Sequence, residues 1–105
     1  MEGKIIRGTT PTLTFALPFS AEQVEKAYVT FQQKGSVVLD KEAGASGCDC
    51  SENQLVVTLT QEETLRFLGG HKVEMQVRVR SVTGEALASK TVTAQVENVI
   101  KDGVI

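Results

Sequence analysis

The residues best equipped for chemistry are two cysteines one residue apart, Cys48-Asp49-Cys50. Two thiolates at that spacing attract soft metals, but a closed zinc site takes four ligands. The chain holds no third cysteine, and His71 is its one histidine. A disulfide between residues two apart strains ordinary disulfide geometry. The pair is therefore expected to be two exposed or half-buried thiols, with no metal and no catalytic role. His71 follows Gly69-Gly70 in a turn. A histidine acts as base or ligand only beside a nucleophile or co-ligands, and none stands at a recognisable spacing, so a solvated loop histidine is expected. The carboxylates Glu22 and Glu25, and the run Glu62-Glu63, fall where helices would begin. Acids there offset the partial positive charge of free amides, which is expected in place of general acid–base work. Gly8-Thr9-Thr10-Pro11 lacks the Gly-Lys-Ser/Thr ending of a phosphate loop. Lys72, Arg78 and Arg80 form a short basic stripe that Glu74 interrupts, the pattern of a solvated face. No catalytic, metal-binding or cofactor-binding residue is assigned, and no cofactor is expected.

The elements that would carry these residues are strands. Thr12 to Leu17 alternates, with Leu13, Phe15 and Leu17 on one side, and Pro18 ends it because proline lacks the ladder donor. Ser20 to Gln23 has the form of a capping box opening one or two helical turns. Ala27 to Gln33 is a strand with Val29 and Phe31 inward. Lys34-Gly35 turns it into a return strand, Ser36 to Lys41. Glu42 to Asn53 is the least structured segment. Gln54 to Leu59 points Leu55, Val57 and Leu59 inward. Thr60 to Glu63 repeats the capping signature, and Leu65, Phe67 and Leu68 are expected to fold a short helical turn onto one end of the sheet before Gly69-Gly70 stops it.

Lys72 to Arg80 is the strongest signal: Val73, Met75, Val77 and Val79 alternate strictly with polar residues. A helix would scatter these valines around every face. Thr83-Gly84 offers a two-residue hairpin turn into Glu85 to Val96, and such a turn sets the register. It pairs Val79 with Ala88, Met75 with Val92 and Val73 with Ala94, and on the polar face Gln76 with Thr91 and Glu74 with Thr93. Lys90 would then face inward opposite Val77. Either a bulge intervenes near Ser89, or Lys90 lies at an edge and reaches out to water.

The chain has 105 residues, the span of one domain. Aromatics are 5% and Trp is absent, so the core must rest on Val, Leu, Ile and Ala. Such residues fit a pleated surface better than a helix turn. The fold expected over 1–105 is therefore all-β: an immunoglobulin-like antiparallel β-sandwich of about seven strands with one or two short helical turns. A net charge of −2 leaves no basic stripe to displace counterions from phosphate, so nucleic acid is not an expected partner. No stretch approaches a membrane span, and Met1 to Gly8 lacks the apolar run of a secretory leader, so synthesis in the cytoplasm is expected. The end of the chain carries Val99, Ile100, Val104 and Ile105 around Asp102-Gly103. Exposed apolar residues mark interfaces, and these four are the candidate contacts. The other reading is that the tail completes the domain's own sheet.

Arg7-Gly-Thr-Thr-Pro-Thr-Leu-Thr-Phe-Ala-Leu-Pro-Phe19, with Leu59-Thr-Gln-Glu-Glu-Thr-Leu65 and the Val77-Arg-Val-Arg80 strand, resembles small prophage proteins of Gram-positive gut bacteria over most of the chain. The opening strands are also similar to the N-terminal domain of phage baseplate upper proteins, whose long fibre-like extension is not expected here, which favours a small accessory or adaptor component. The resemblance implies a non-enzymatic virion structural or adaptor module of a tail or baseplate, made in a bacterial host. Its partners would be other phage structural proteins or further copies of itself in a homo-oligomer. The rival function is a small ligand- or carbohydrate-binding sandwich. Such sites usually present aromatic platforms, and this chain offers Tyr28 and four Phe.

Overall fold

The alternating segments pair as their patterns require. A computed structural model describes residues 3–17, 20–44 and 47–105. Among them are nine strands: β1 (Gly3–Ile6), β2 (Thr12–Ala16), β3 (Val24–Gln33), β4 (Ser36–Glu42), β5 (Cys48–Ser51), β6 (Gln54–Thr58), β7 (Lys72–Ser81), β8 (Ala86–Ala88) and β9 (Val92–Glu97). One sheet has the order β1-β9-β7-β3-β4, with β8 also on β7, and the other is β2-β6-β5. An immunoglobulin domain sets strands B, E and D against C, F and G, and the variable type adds C′ beside C. Here β2-β6-β5 takes the places of B-E-D, and β9-β7-β3-β4 those of G-F-C-C′. The chain is thus an all-β, immunoglobulin-like sandwich, built without three hallmarks of antibody domains. It has no Trp, both cysteines are free on β5, and β7 carries no Tyr. The facing sheets bury Phe15, Leu55 and Val57 against Val29, Phe31, Met75 and Val77. Phe67, beyond β6, meets Phe31 with ring centroids 5.8 Å apart.

Several expectations need correction. Two strands lie outside the sequence reading. β1 pairs with β9 in parallel, Ile5 beside Val96, an exception to the antiparallel plan. β5 occupies the segment expected to be least structured, with Cys48 across from Val57 and Cys50 across from Leu55. The alternation there is Cys-Asp-Cys-Ser, and the thiols act as the small apolar members of it. Residues 18 and 19, where Pro18 was expected to end β2, lie outside the described residues. The Ser20 capping box is absent: Ala21–Gln23 forms one 3₁₀ turn without a side-chain cap. Val24 is already extended and paired across from Ser81, so ladder bonding takes over after that single turn.

The last hairpin is half as expected. Met75 pairs with Val92, Glu74 with Thr93 and Val73 with Ala94. Val79, however, pairs with Leu87, not Ala88. Ser81 N donates to Glu85 O (2.8 Å) and Gly84 N to Ser81 O (3.0 Å), so Val82, Thr83 and Gly84 all lie in the loop. Gly84, at φ 94°, supplies the left-handed residue that such three-residue loops need. The extra loop residue shifts the register by one, and a bulge at residues 89–91 shifts it back. Ser89 takes the place opposite Val77 through two bonds, its N to Val77 O (2.8 Å) and Val77 N to its Oγ (3.0 Å). Gln76 Nε2 donates to Ser89 O and does not meet Thr91. Lys90 is thereby placed in solvent.

Candidate functional site

The tail is held to one end of the sandwich by side chains that also fix the turn after β6. That turn, α1 (Gln61–Leu65), opens with a complete capping box: Thr60 Oγ1 accepts from Glu63 N, and the Glu63 carboxylate accepts from Thr60 N. Arg7 caps its far end, with Nε donating to Phe67 O (2.9 Å) and Nη2 to Leu65 O (3.1 Å). The same guanidinium pairs with Asp102 of the tail at 3.4 Å. Gln61 then grips the last residue twice: Ile105 N donates to its Oε1 (2.8 Å), and its Nε2 donates to Ile105 O (3.2 Å). Residues 98–105 join no sheet, so the tail does not complete the sandwich. Val99 is half-buried beside Gly8, whereas Ile100 is fully exposed, Ile105 84% exposed and Val104 58% exposed. Of the four candidate contacts, three point to solvent from a backbone held in place.

Beneath the turn lies a polar clamp that sequence reasoning did not assemble. Lys41 points inward from β4, and its Nζ donates to Glu63 Oε1 (2.9 Å) and Thr58 O (3.2 Å). Burial would raise the Glu63 carboxyl. The Thr60 amide and the bond and charge of Lys41 outweigh it, and hold Glu63 below the usual carboxylate range. Gln33 clamps Leu68 by donating to its O and accepting from its N. The buried Thr64 hydroxyl accepts from Gly8 N and donates to Thr9 O. The signal for Gln33 and Lys41 was parity, since both share the inward face of their strands with Phe31 and Leu39. Nothing in the sequence marked Thr64 or Arg7.

The remaining candidates scatter. Cys48 is fully buried, against the expectation of an exposed or half-buried thiol, and Cys50 is partly buried. Burial pushes both thiols up, Asp49 adding to it, with Lys41 opposing it at Cys48. His71 is exposed, and its carbonyl takes the Val96 amide. Glu63 serves the capping box as expected, but Glu25 pairs with Arg80 at 2.6 Å and caps no helix. Among the described residues no three His, Cys, Asp or Glu side chains converge, and no helix is long and apolar enough to cross a membrane. Lys72, Arg78 and Arg80 do lie on an open sheet face. There Lys26, Tyr28, Asp40, Arg78 and Arg80 border a shallow hollow of about 380 Å³.

No family model and no curated protein matches the sequence. Among solved structures, the chain is similar to the extracellular domain of mouse leukocyte-associated immunoglobulin-like receptor 1, described as a strand-swapped dimer. The two are 18% identical over 99% of this chain and 89% of that one, with a TM-score of 0.40. The assignment to the immunoglobulin-like sandwiches rests on the strand order.

Proposed function

We propose that the chain is a non-enzymatic structural or adaptor module of a phage or prophage virion, in a tail or baseplate, that works by protein–protein contact. The observation that carries the contact reading is the tail: Ile100, Val104 and Ile105 face water while Gln61 and Arg7 fix the backbone beneath them. A backbone already held in place loses little further entropy on docking, which favours the side chains it carries as contacts. The resemblance of the opening segment and of the Val77 to Arg80 strand to prophage proteins supports the virion setting. Manufacture in a bacterial host and incorporation into the particle follow from that setting. Partners are neighbouring virion proteins or further copies of the chain.

Deleting residues 102–105 tests the tail. The anchoring bonds are exposed and worth at most about 1 kcal/mol each, so the melting temperature is expected to fall by only a few degrees. Mass measured across a concentration series is expected to drop. An unchanged mass, with or without a lower melting temperature, would remove the tail from the contact surface.

A further inference from the structure

We propose that the outer face of the six-stranded sheet docks a second copy of this chain, about a two-fold axis running along β3. The inference rests on the reading of the protein as a contact module, and it names a partner and a surface distinct from the tail. Tyr28, the chain's one tyrosine, lies on that face on β3, between the edge strand β4 and β7. Glu42 of β4 is its cross-strand partner on one side, and Arg78 of β7 on the other. The three therefore stand level across the sheet. All point outward, because the residues alternating with them, Val29, Lys41, Val77 and Val79, are buried.

The charges around Tyr28 are divided by strand. The β4 flank is acidic, with Asp40 and Glu42, and the adjoining part of β7 is basic, with Arg78 and Arg80; Glu74, farther along β7, accepts from Gln32 Nε2 of β3. Arg80 already holds Glu25, and Asp40 accepts from the Thr30 hydroxyl. Among the described residues neither Arg78 nor Glu42 forms an ion pair. An isologous interface must be complementary to itself, and this layout is. A half-turn about β3 keeps each residue at its height along the strand and exchanges the two flanks. Arg78 then meets the partner's Glu42, Glu42 meets the partner's Arg78, and Tyr28 meets the partner's Tyr28. Tyr and Arg are the residue types that dominate interface energetics. Ala88, level with Arg78, leaves room beside the guanidinium for the partner's side chain. Lys26 lies one row along β3, level with Arg80, so the half-turn sets it opposite its own counterpart, a like-charge contact that the two Arg78–Glu42 pairs must outweigh.

The test is sedimentation equilibrium of the full chain over a wide concentration range, at low and high salt. Wild-type protein is expected to dimerise, more weakly as salt rises. Arg78→Glu and Glu42→Arg each turn both ion pairs into like-charge contacts, and each is expected to raise the dissociation constant at least about tenfold. An equimolar mixture of the two variants restores opposite charges at both contacts, so the mixture is expected to dimerise as the wild type does. Circular dichroism melts check that each variant is folded. A wild-type protein monomeric throughout, a dimer indifferent to the reversals, or a mixture that stays dissociated would each overturn the proposal. Neither variant alters the tail. Association that survives the charge reversals but is lost on deleting residues 102–105 sinks this inference and leaves the tail reading standing.

Discussion

Lys41 sits on an edge strand and points its charge into the sandwich, one of the ways a sheet edge is kept from pairing with a stranger. The ammonium is tolerated because Glu63 lies 2.9 Å away and Thr58 O takes a second bond. Breaking such a pair from one side leaves a buried charge without a partner, a loss of about 3–5 kcal/mol. Glu63→Gln is the clean test, since glutamine can still complete the capping box. Its effect should depend on pH. Glu63 is held below its unfolded value in the native state, so the pair stabilises fully above the ordinary carboxylate range. That contribution fades as pH falls through the folded value. Urea denaturation at a series of pH values should show Glu63→Gln much weaker than wild type near neutrality, with the gap closing in acid. A gap that stays constant down to strongly acid pH would mean that the ion pair contributes nothing to stability.

Strands with one buried face announced themselves, because alternation carries both the element and its inward set. β2, β3, β6 and β7 were legible in this way, as was the capped turn at Thr60. β5 was not, because its inward residues are cysteines, read first for chemistry. β1 was not, because a parallel partner far along the chain leaves no local turn signal. The tail was legible as apolar, but the side chains that anchor it, Arg7 and Gln61, follow no periodic pattern. The β7–β8 register was missed by one residue, because Thr83-Gly84 suits both a two-residue turn and the end of a three-residue loop. Cross-strand proton contacts distinguish the registers. With Ser81 bonded to Glu85 and Val77 to Ser89, Arg78 and Ala88 face each other as a pair without mutual hydrogen bonds, the kind whose α-carbons come closest. NMR should therefore show a strong contact between the α-protons of Arg78 and Ala88. An uninterrupted two-residue hairpin puts that contact between Val79 and Ala88, and finding it there would remove both the loop residue and the bulge.

Across the whole molecule the two ends of the chain divide their work. The first strand is structural: Ile5 is 1% exposed, packed into the core beside Val96 at the edge of the larger sheet. The last residue is a surface element: Ile105 is 84% exposed, held by Gln61 through its backbone alone. Similar side chains at opposite ends should therefore respond oppositely to truncation. Ile5→Ala removes buried methyls and leaves a cavity, at a cost of about 2–5 kcal/mol. That is a large share of the roughly 5–15 kcal/mol that holds a domain of this size folded. Ile105→Ala removes only solvent-facing atoms, and its effect on stability should stay within about 0.5 kcal/mol. Chemical denaturation of the two variants beside the wild type gives both numbers, and the concentration series supplies the second readout. Ile105→Ala is expected to weaken association without touching stability, and Ile5→Ala to lower stability. If Ile105→Ala instead cost several kcal/mol, the tail would be part of the core and could not serve as a contact. If Ile5→Ala were silent, β1 would be a loosely added strand, and the β9 edge it covers would itself be free to pair with a neighbour.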